Sequence, residues 1–177
     1  MGQFQHHIKL ITMPNVLPDF QKLAAIKEHF EGYKNIAYKD SGGVWTVGFG
    51  STFNHDAKRK VQEGDIVTKD IATRWMATDV SNIVTNLNKY ITSQLNPWQS
   101  AAMVDYVYNR GIGNLLKTQL DELINANPHD PLIPKEIEGT GLKDKLGHLL
   151  WGLKRRRLSE SYLYQTGQLK FDFKRLF

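Results

Sequence analysis

The 177-residue sequence contains no cysteine, which excludes a disulfide framework, a thiolate metal site and a cysteine nucleophile. No window approaches the ~18 apolar residues that a membrane span requires, so stable anchoring in a membrane is not expected. The N-terminal stretch has no apolar core after a basic start and is not expected to be a signal peptide. The six histidines show no metal-ligand spacing, so neither a metal nor another cofactor is predicted.

Acidic residues are the less frequent charged class, since 18 Asp and Glu stand against 23 Lys and Arg and leave a net charge of +5. A basic protein favours polyanionic partners, namely nucleic acid, an anionic membrane surface or an anionic wall polymer, and charge alone does not choose among them. The basic run "KRRR" at 154–157 has no accompanying helix-turn-helix or aromatic RNA-binding string. Nucleic acid is therefore not an expected partner.

Length and composition predict one domain, since 41% apolar residues suffice for a hydrophobic core. We also expect the protein to be a monomer. We divide the chain into an N-terminal arm at 1–18, a folded domain at 19–167 and a C-terminal tail at 168–177. Within the domain, the spacing of apolar and turn residues predicts an α+β fold, in which a small N-terminal part with a β-hairpin precedes a larger helical part.

A first helix is predicted from apolar residues at helical spacing, with Asp19 as its N-cap and Gly32 as its end, so that Glu31 lies in the last turn. The following stretch, "NIAYKDSGGVWTVGFGSTF", has turn residues between β-rich runs and predicts the hairpin. Thr68 begins a second helix, and "NPWQSAAMVDYVYNRG" is a candidate central helix. Downstream, "LLKTQLDELI" is predicted as one helix, residues 127–141 as a loop, and "LLWGLKRRRLSESYLYQTG" as a closing basic helix.

Three side chains around the hairpin are candidates for a catalytic site, namely Glu31, Asp40 and Thr46. Two carboxyl groups in different settings divide acid and base work: one keeps a proton to donate, while the other is ionised and steers a nucleophile. Glu31 is predicted at a helix end and Asp40 at a polar turn, and the hydroxyl of Thr46 can hold a water molecule. Considered as residue types alone, however, all three are more often ordinary solvent-facing side chains.

The order of three segments is more specific than these residue types. Glu31, eight residues, Asp40, five residues and Thr46 lead into "VGFG", and "WQSAAMVDYVYNRGIGNLLKTQL" and "GLKRRRLSESYLYQTG" follow downstream. Together, over residues 19–167, they resemble the phage-type lysozymes of glycoside hydrolase family 24, the endolysins that cut the glycan strands of peptidoglycan. The resemblance implies a lysozyme-like α+β fold and a muramidase that hydrolyses the β-1,4 bond between N-acetylmuramic acid and N-acetylglucosamine.

The resemblance also implies roles for individual residues. Glu31 would be the general acid, and Asp40 and Thr46 would position the attacking water for hydrolysis with inversion. Arg156 falls on a motif arginine that would pair with the catalytic acid. Three further residues fall on positions that line the family's saccharide cleft: Thr52, Tyr108 and Thr118.

The sequence departs from the family pattern beside this site. The family often has His-Thr after "VGFG", whereas this chain has Ser51 and Thr52, so an ion pair made by that histidine is expected to be absent. Farther along, Trp151 lies among apolar residues and is predicted to be part of the core.

Two other functions stay open from the sequence. A lytic transglycosylase uses one acid and no attacking water, so Asp40 and Thr46 argue against it. A non-catalytic wall-binding or structural protein would retain the same fold. Since no signal peptide is predicted, we expect the protein to be made in the host bacterial cytoplasm and to act on the cell wall after release.

Overall fold

The computed structural model describes residues 14–40, 42–143 and 147–174. In these ranges the chain forms seven helices and two small antiparallel sheets, which confirms the predicted α+β class. The helices are α1 (Phe20–Glu31), α2 (Lys69–Tyr90), α3 (Pro97–Arg110), α4 (Ile112–Lys117), α5 (Leu120–Ala126), α6 (Leu132–Gly139) and α7 (Trp151–Thr166). The paired strands are β1 (Lys34–Lys39) with β2 (Trp45–Gly48), and β3 (Phe53–Asn54) with β4 (Arg59–Lys60).

The first helix begins and ends where its sequence predicts. Asp19 Oδ1 accepts the backbone N–H groups of Gln21 and Lys22, both at 3.1 Å, which satisfies donors that the first helical turn leaves unpaired. At the other end, the N–H of Gly32 donates to the Glu28 carbonyl, and the positive φ of 61° at this glycine turns the chain away. Glu31 is therefore fixed as the last residue of α1.

The predicted hairpin follows directly. In the β1–β2 pair, Tyr38 lies opposite Thr46 and Lys39 lies opposite Trp45. The N–H of Asp40 donates to the Val44 carbonyl at 2.9 Å and closes the pair at its turn. The hairpin thus holds Asp40 at its tip and Thr46 on the returning strand.

The long helix α2 connects two hydrophobic clusters. Near its beginning, Ala72 and Trp75 join the smaller cluster beneath the β1–β2 pair, whereas Val80 and Leu87 join the larger cluster among the helices. The strand β2 packs tightly on α2, since a Cβ at Gly48 would lie 2.7 Å from the Cβ of Ala72. One helix therefore belongs to both the small and the large part of the fold.

The predicted central helix is α3. Its first turn is capped by the side chain of Gln99, which accepts the N–H of Asn96 at 3.0 Å, and Pro97 occupies the first helical position. Every residue from Gln99 to Val107 is buried, including Asp105, which has no exposed surface. The helices α1, α2, α4 and α7 all contact α3. A carboxyl group consequently lies in the middle of the protein.

The stretch "LLKTQLDELI" is not the single helix that was predicted, because α4 ends before α5 begins. Gln119, between the two helices, adopts the left-handed backbone conformation with φ of 55°. Just before it, the Thr118 hydroxyl donates to the carbonyls of Asn114 and Leu115, an arrangement in which a side chain competes with regular helix bonding.

The prediction of a loop at 127–141 was also wrong, since this stretch contains α6. Proline is compatible with a first helical turn, where backbone N–H groups need no partner within the helix, so Pro134 does not prevent this helix. Ile133 and Ile137, four residues apart, are fully buried against the rest of the protein and supply the reason for the helix to form.

Parts of the predicted arm and tail also pack on the folded domain. Val16 is fully buried, and its backbone exchanges hydrogen bonds with the side chain of Asn88. The ring of Phe171 stacks on His29 with the centroids 4.2 Å apart. Residues 1–13 of the arm and 175–177 of the tail lie outside the described residues. In the described ranges, no helix is long and apolar enough to cross a membrane.

We expect Gln119→Gly to raise the free energy of unfolding by about 0.5 kcal/mol. The left-handed conformation costs a residue with a Cβ roughly 1 kcal/mol, and the greater freedom of glycine in the unfolded chain offsets part of that gain. Urea denaturation would measure the change. As a control, Gln119→Ala keeps a Cβ and should leave stability nearly unchanged, and a glycine variant no more stable than this control would contradict the assignment.

Candidate active site

Glu31 lies at the junction of the two parts of the fold, with its side chain 17% exposed. The Nη1 of Arg156, on α7, donates to Glu31 Oε1 at 2.6 Å, so the structure brings together the two residues that the sequence motif connects. The other oxygen, Oε2, lies against the backbone of Gly50, where a Cβ would be only 2.8 Å away. A glycine at 50 therefore makes room for this carboxyl group.

Asp40 is held by the hairpin turn rather than by another side chain. Its Oδ1 accepts the backbone N–H groups of Gly42 and Val44, each at 2.8 Å. Both bonds fix the plane of the carboxylate, while the residue as a whole stays exposed to solvent. Asp40 and Glu31 thus differ in setting, as their positions in the sequence predict.

The two carboxyl groups face one cavity. Its volume is about 440 Å³, and both Glu31 and Asp40 line it. The remaining lining residues come from α1, α3, the N-cap of α7 and the first half of α7: Phe30, Asn109, Leu150, Trp151, Gly152, Leu153 and Arg156. Trp151 was predicted to be in the core, and this was wrong: it is the first residue of α7, it is only half-buried, and it lines the cavity.

Thr46 is buried on β2 and does not line this cavity. Its hydroxyl donates to the Val44 carbonyl at 3.1 Å, which leaves the oxygen free to accept a further hydrogen bond. Tyr38, its neighbour across the hairpin, was not singled out from the sequence. Burial raises the pKa of Tyr38, and the charges of Glu31 and Asp40 raise it further, so this phenol lies within the field of both carboxyl groups.

Behind Glu31 is a group of charged side chains that we call the buried ionic cluster: Lys27, Asp105, Arg156, Arg157 and Glu160. Arg156 binds Asp105 through Nε at 3.0 Å and through Nη2 at 2.8 Å. Burial by itself would raise the pKa of Asp105, but the charges of Arg156 and Lys27 hold it well below its usual range. Asp105 is therefore a buried anion that orients the arginine toward Glu31.

Sequence reasoning missed two members of this cluster, although both left a signal. Lys27 lies four residues after Leu23, a core residue of α1, so helical spacing puts the lysine on the buried face. Asp105 interrupts the apolar run "AAMVDYV" of the central helix. A charged residue at a core position indicates a buried polar partner.

The three residues predicted to bind saccharide lie in different places. Thr52 and Tyr108 line a second cavity of about 270 Å³, which Gly50 also lines. The Tyr108 hydroxyl donates to the Phe49 carbonyl at 3.0 Å, beside the same glycine. Thr118 ends α4 and lines neither cavity. For all three, contact with a saccharide stays a prediction.

Ser51 occupies the position at which the family often has a histidine, and it takes part in a different set of contacts. The Ser51 hydroxyl donates to Asp79 Oδ2 at 3.3 Å, and His55 Nε2 lies 2.9 Å from Asp79 Oδ1. An imidazole is therefore present beside the second cavity, supplied from four residues farther along the chain. Across the ranges that the structure describes, no three His, Asp or Glu side chains are grouped to hold a metal ion.

A cleft with two carboxyl groups, formed between a small β-containing part and a helical part, is the arrangement of a lysozyme-type glycosidase. The sequence pattern of the family described as Phage lysozyme matches residues 28–160. Because this match covers more than half of the chain, the chain belongs to the phage lysozyme family. It is therefore a glycoside hydrolase that acts on peptidoglycan.

Individual relatives agree with this assignment. An endolysin of Acyrthosiphon pisum secondary endosymbiont phage 1 is 24% identical over 147 residues, which are 82% of this chain and 97% of that protein. An endolysin of Bacillus phage B103 is 26% identical over 80% of this chain, which spans about half, 51%, of that longer protein. Among solved structures, the endolysin from Escherichia coli O157:H7 phage FAHEc1 is similar with a TM-score of 0.76 and 27% identity, over 94% of this chain and 99% of that one.

We expect Gly50→Ala to lower kcat/KM on peptidoglycan by about 10²-fold. The added Cβ would lie 2.8 Å from Glu31 Oε2 and displace this carboxyl group, and a misplacement of about 1 Å has an effect of that size. The measurement is the release of reducing ends from purified peptidoglycan.

Gly64→Ala is the matched control for this prediction. Gly64 has a similar positive φ, 82° against 87° at Gly50, but nothing lies within 4 Å of the position of its Cβ. It should share the backbone strain and keep the activity. Equal losses of activity in the two variants would show that strain alone, rather than displacement of Glu31, explains the effect.

Proposed function

We propose that this protein is a muramidase that hydrolyses the β-1,4 bond between N-acetylmuramic acid and N-acetylglucosamine with inversion. Glu31 acts as the general acid, and Asp40 and Thr46 position the attacking water. The observation that carries the proposal is that Glu31 and Asp40 line one cavity from two separate parts of the fold, each held in a different way. Two carboxyl groups in different environments divide the acid and base work of glycoside hydrolysis.

The contacts of Glu31 suggest which oxygen carries the proton. Arg156 binds Oε1, so we assign Oε2, beside Gly50, as the oxygen that donates to the glycosidic oxygen. The donated proton leaves with the N-acetylglucosamine O4 when the bond from the anomeric carbon of N-acetylmuramic acid breaks. Glu31 ends the step as a carboxylate, and the contact with Arg156 stabilises that charge.

The contacts of Asp40 suggest how the water is activated. Both backbone N–H groups bind Oδ1, so we assign Oδ2 as the oxygen that accepts a proton from the attacking water. The water oxygen then forms the new bond to the anomeric carbon, on the face opposite the leaving group. Thr46 is buried, and its hydroxyl, which donates to the Val44 carbonyl, has a free acceptor site that we assign to holding this water together with Asp40.

Charge and family membership support the proposed setting of the reaction. The net charge of +5 favours an anionic wall polymer, and the proposed mechanism uses protein side chains and water without a cofactor. We propose that the protein works as a monomer. It is made in the cytoplasm of the host bacterium and reaches the cell wall after release.

Glu31→Gln should lower kcat/KM by at least about 10²-fold, because the amide cannot donate the proton that the leaving group needs. Loss of turbidity of a cell-wall suspension would measure activity, with circular dichroism to establish equal folding. Glu28→Gln is the matched control, since Glu28 is an exposed residue one turn earlier in the same helix. This variant should keep full activity. If Glu31→Gln kept the activity of the wild type, the proposed function would fail.

Asp40→Asn should lower the rate by about 10²-fold and leave binding to the wall intact, because an amide does not accept a proton from water. Asp56→Asn, at an exposed aspartate, controls for loss of one negative charge. Mass spectrometry of the released fragments tests the reaction type at the same time. A major product with an anhydro sugar would identify a lytic transglycosylase, and an unchanged rate in Asp40→Asn would reject the role of this residue.

A further inference from the structure

Lys27 is a buried cation beside the proposed acid. It lies one turn before Glu31 on the same face of α1, and its side chain is only 1% exposed. Its Nζ is 4.0 Å from Glu31 Oε1 and 3.8 Å from Asp105 Oδ1, and it lies over the ring of Tyr108. The ammonium group makes no hydrogen bond with any residue in the described ranges. An ammonium ion in such a place has lost its water without gaining hydrogen-bond partners.

The charge of Lys27 is therefore easily lost. Burial lowers its pKa from 10.5 to about 7, although the attraction of Asp105 opposes this change. The charged groups that face it come from every helix packed around it: Asp105 from α3, Arg156 from α7, Glu31 from α1 itself and Asp79 from α2. Among the cations near Glu31, Arg156 keeps its proton at all working pH values, whereas Lys27 does not.

A cation 4.0 Å from Glu31 opposes the chemistry that this residue has to perform. A general acid has to carry a proton, but a nearby positive charge favours the ionised carboxylate. We propose that Lys27 is a positioning residue whose own charge determines how much of Glu31 carries the proton that the reaction needs. This inference rests on the proposed role of Glu31 as the general acid.

Charge balance in the buried ionic cluster favours this coupling. With one proton shared by the pair, either Lys27 is an ammonium and Glu31 a carboxylate, or Lys27 is a neutral amine and Glu31 a neutral acid. The pair has the same net charge in both states, so the exchange adds no net charge to a region where a net charge is expensive. Only the neutral pair keeps a proton on Glu31, so a positive charge at position 27 disfavours the form that can donate.

Lys27→Met removes the cation with little change in shape. Lys27 also lines an apolar cavity of about 480 Å³ with Leu23, Met76 and Val80, where a methionine is compatible. We expect the basic limb of the pH profile of kcat/KM to move upward by about one pH unit or more, because an opposite charge at this distance has an effect of that size. The assay is reducing-end release from purified peptidoglycan between pH 4 and about 10.

Lys27→Arg is the contrasting variant, since it keeps a positive charge that does not titrate. The basic limb of its pH profile of kcat/KM should lie at the same pH as in the wild type or at a lower pH. Lys22→Met, which removes one charge from the same helix away from the site, controls for weaker binding to an anionic wall and should leave the limb unmoved. If both Lys27 variants lost activity with an unmoved limb, Lys27 would have only a structural role and the inference would be wrong.

A measurement that leaves Lys27 in place keeps the test independent of the folding of those variants. In nuclear magnetic resonance of labelled lysine side chains, Lys27 should titrate near pH 7 in the wild type. In Glu31→Gln the midpoint should fall, because the carboxylate that stabilises the ammonium is gone, and coupling between two sites is reciprocal. An unchanged midpoint would overturn the coupling even if Glu31→Gln is inactive, whereas an active Glu31→Gln would overturn the proposed function.

The stability of the protein gives a further readout. Because the pKa of Lys27 is lower in the folded than in the unfolded chain, the unfolded chain binds more protons between about pH 7 and 10.5, and stability rises with pH across this window. Thermal denaturation of Lys27→Met should lack that rise, while Lys22→Met should retain it. The same rise in both variants would contradict the assignment of the titrating group.

Discussion

The guanidinium group of Arg156 joins three helices, and the position of Glu31 depends on that junction. Two of its nitrogens bind Asp105 on α3, and the third binds Glu31 on α1. A buried ion pair adds little net stability, yet removing one partner leaves an unpaired charge and costs about 3–5 kcal/mol. The contribution of Arg156 is therefore mainly geometric, because a planar side chain with fixed donor directions determines where α1 and α7 meet.

The two carboxyl groups of the cleft are held by unrelated means. Glu31 depends on a side chain that reaches it through the helical core, whereas Asp40 depends on backbone N–H groups of its own turn. The relative position of Glu31 and Asp40 depends on α2. This helix packs under the hairpin near its beginning and in the helical core farther along. The close approach of Gly48 to Ala72 thus contributes to the relative position of the two carboxyl groups, although neither residue lines the cavity.

The structural features that depend on neighbouring residues in the chain are the ones that the sequence predicts. Asp19 and Gly32 define the ends of α1 because caps and glycines act on their own turn, and this places Glu31 correctly. The helix α6 escaped prediction because its two buried isoleucines outweigh a proline-rich composition, and that balance is visible only in the packed structure. Lys27 and Asp105 escaped prediction because they lie far from Arg156 in the chain, and charged residues of a helix ordinarily face solvent.

Asp79 binds two side chains close to the point where the sequence departs from the family motif. One of its oxygens accepts the hydroxyl of Ser51, and the other pairs with His55, whose ring also contacts Phe53 and Trp75. The serine and the imidazole therefore bind different oxygens of the same carboxylate. At position 51, where the sequence departs from the family motif, a serine thus shares Asp79 with the imidazole of His55, beside the second cavity.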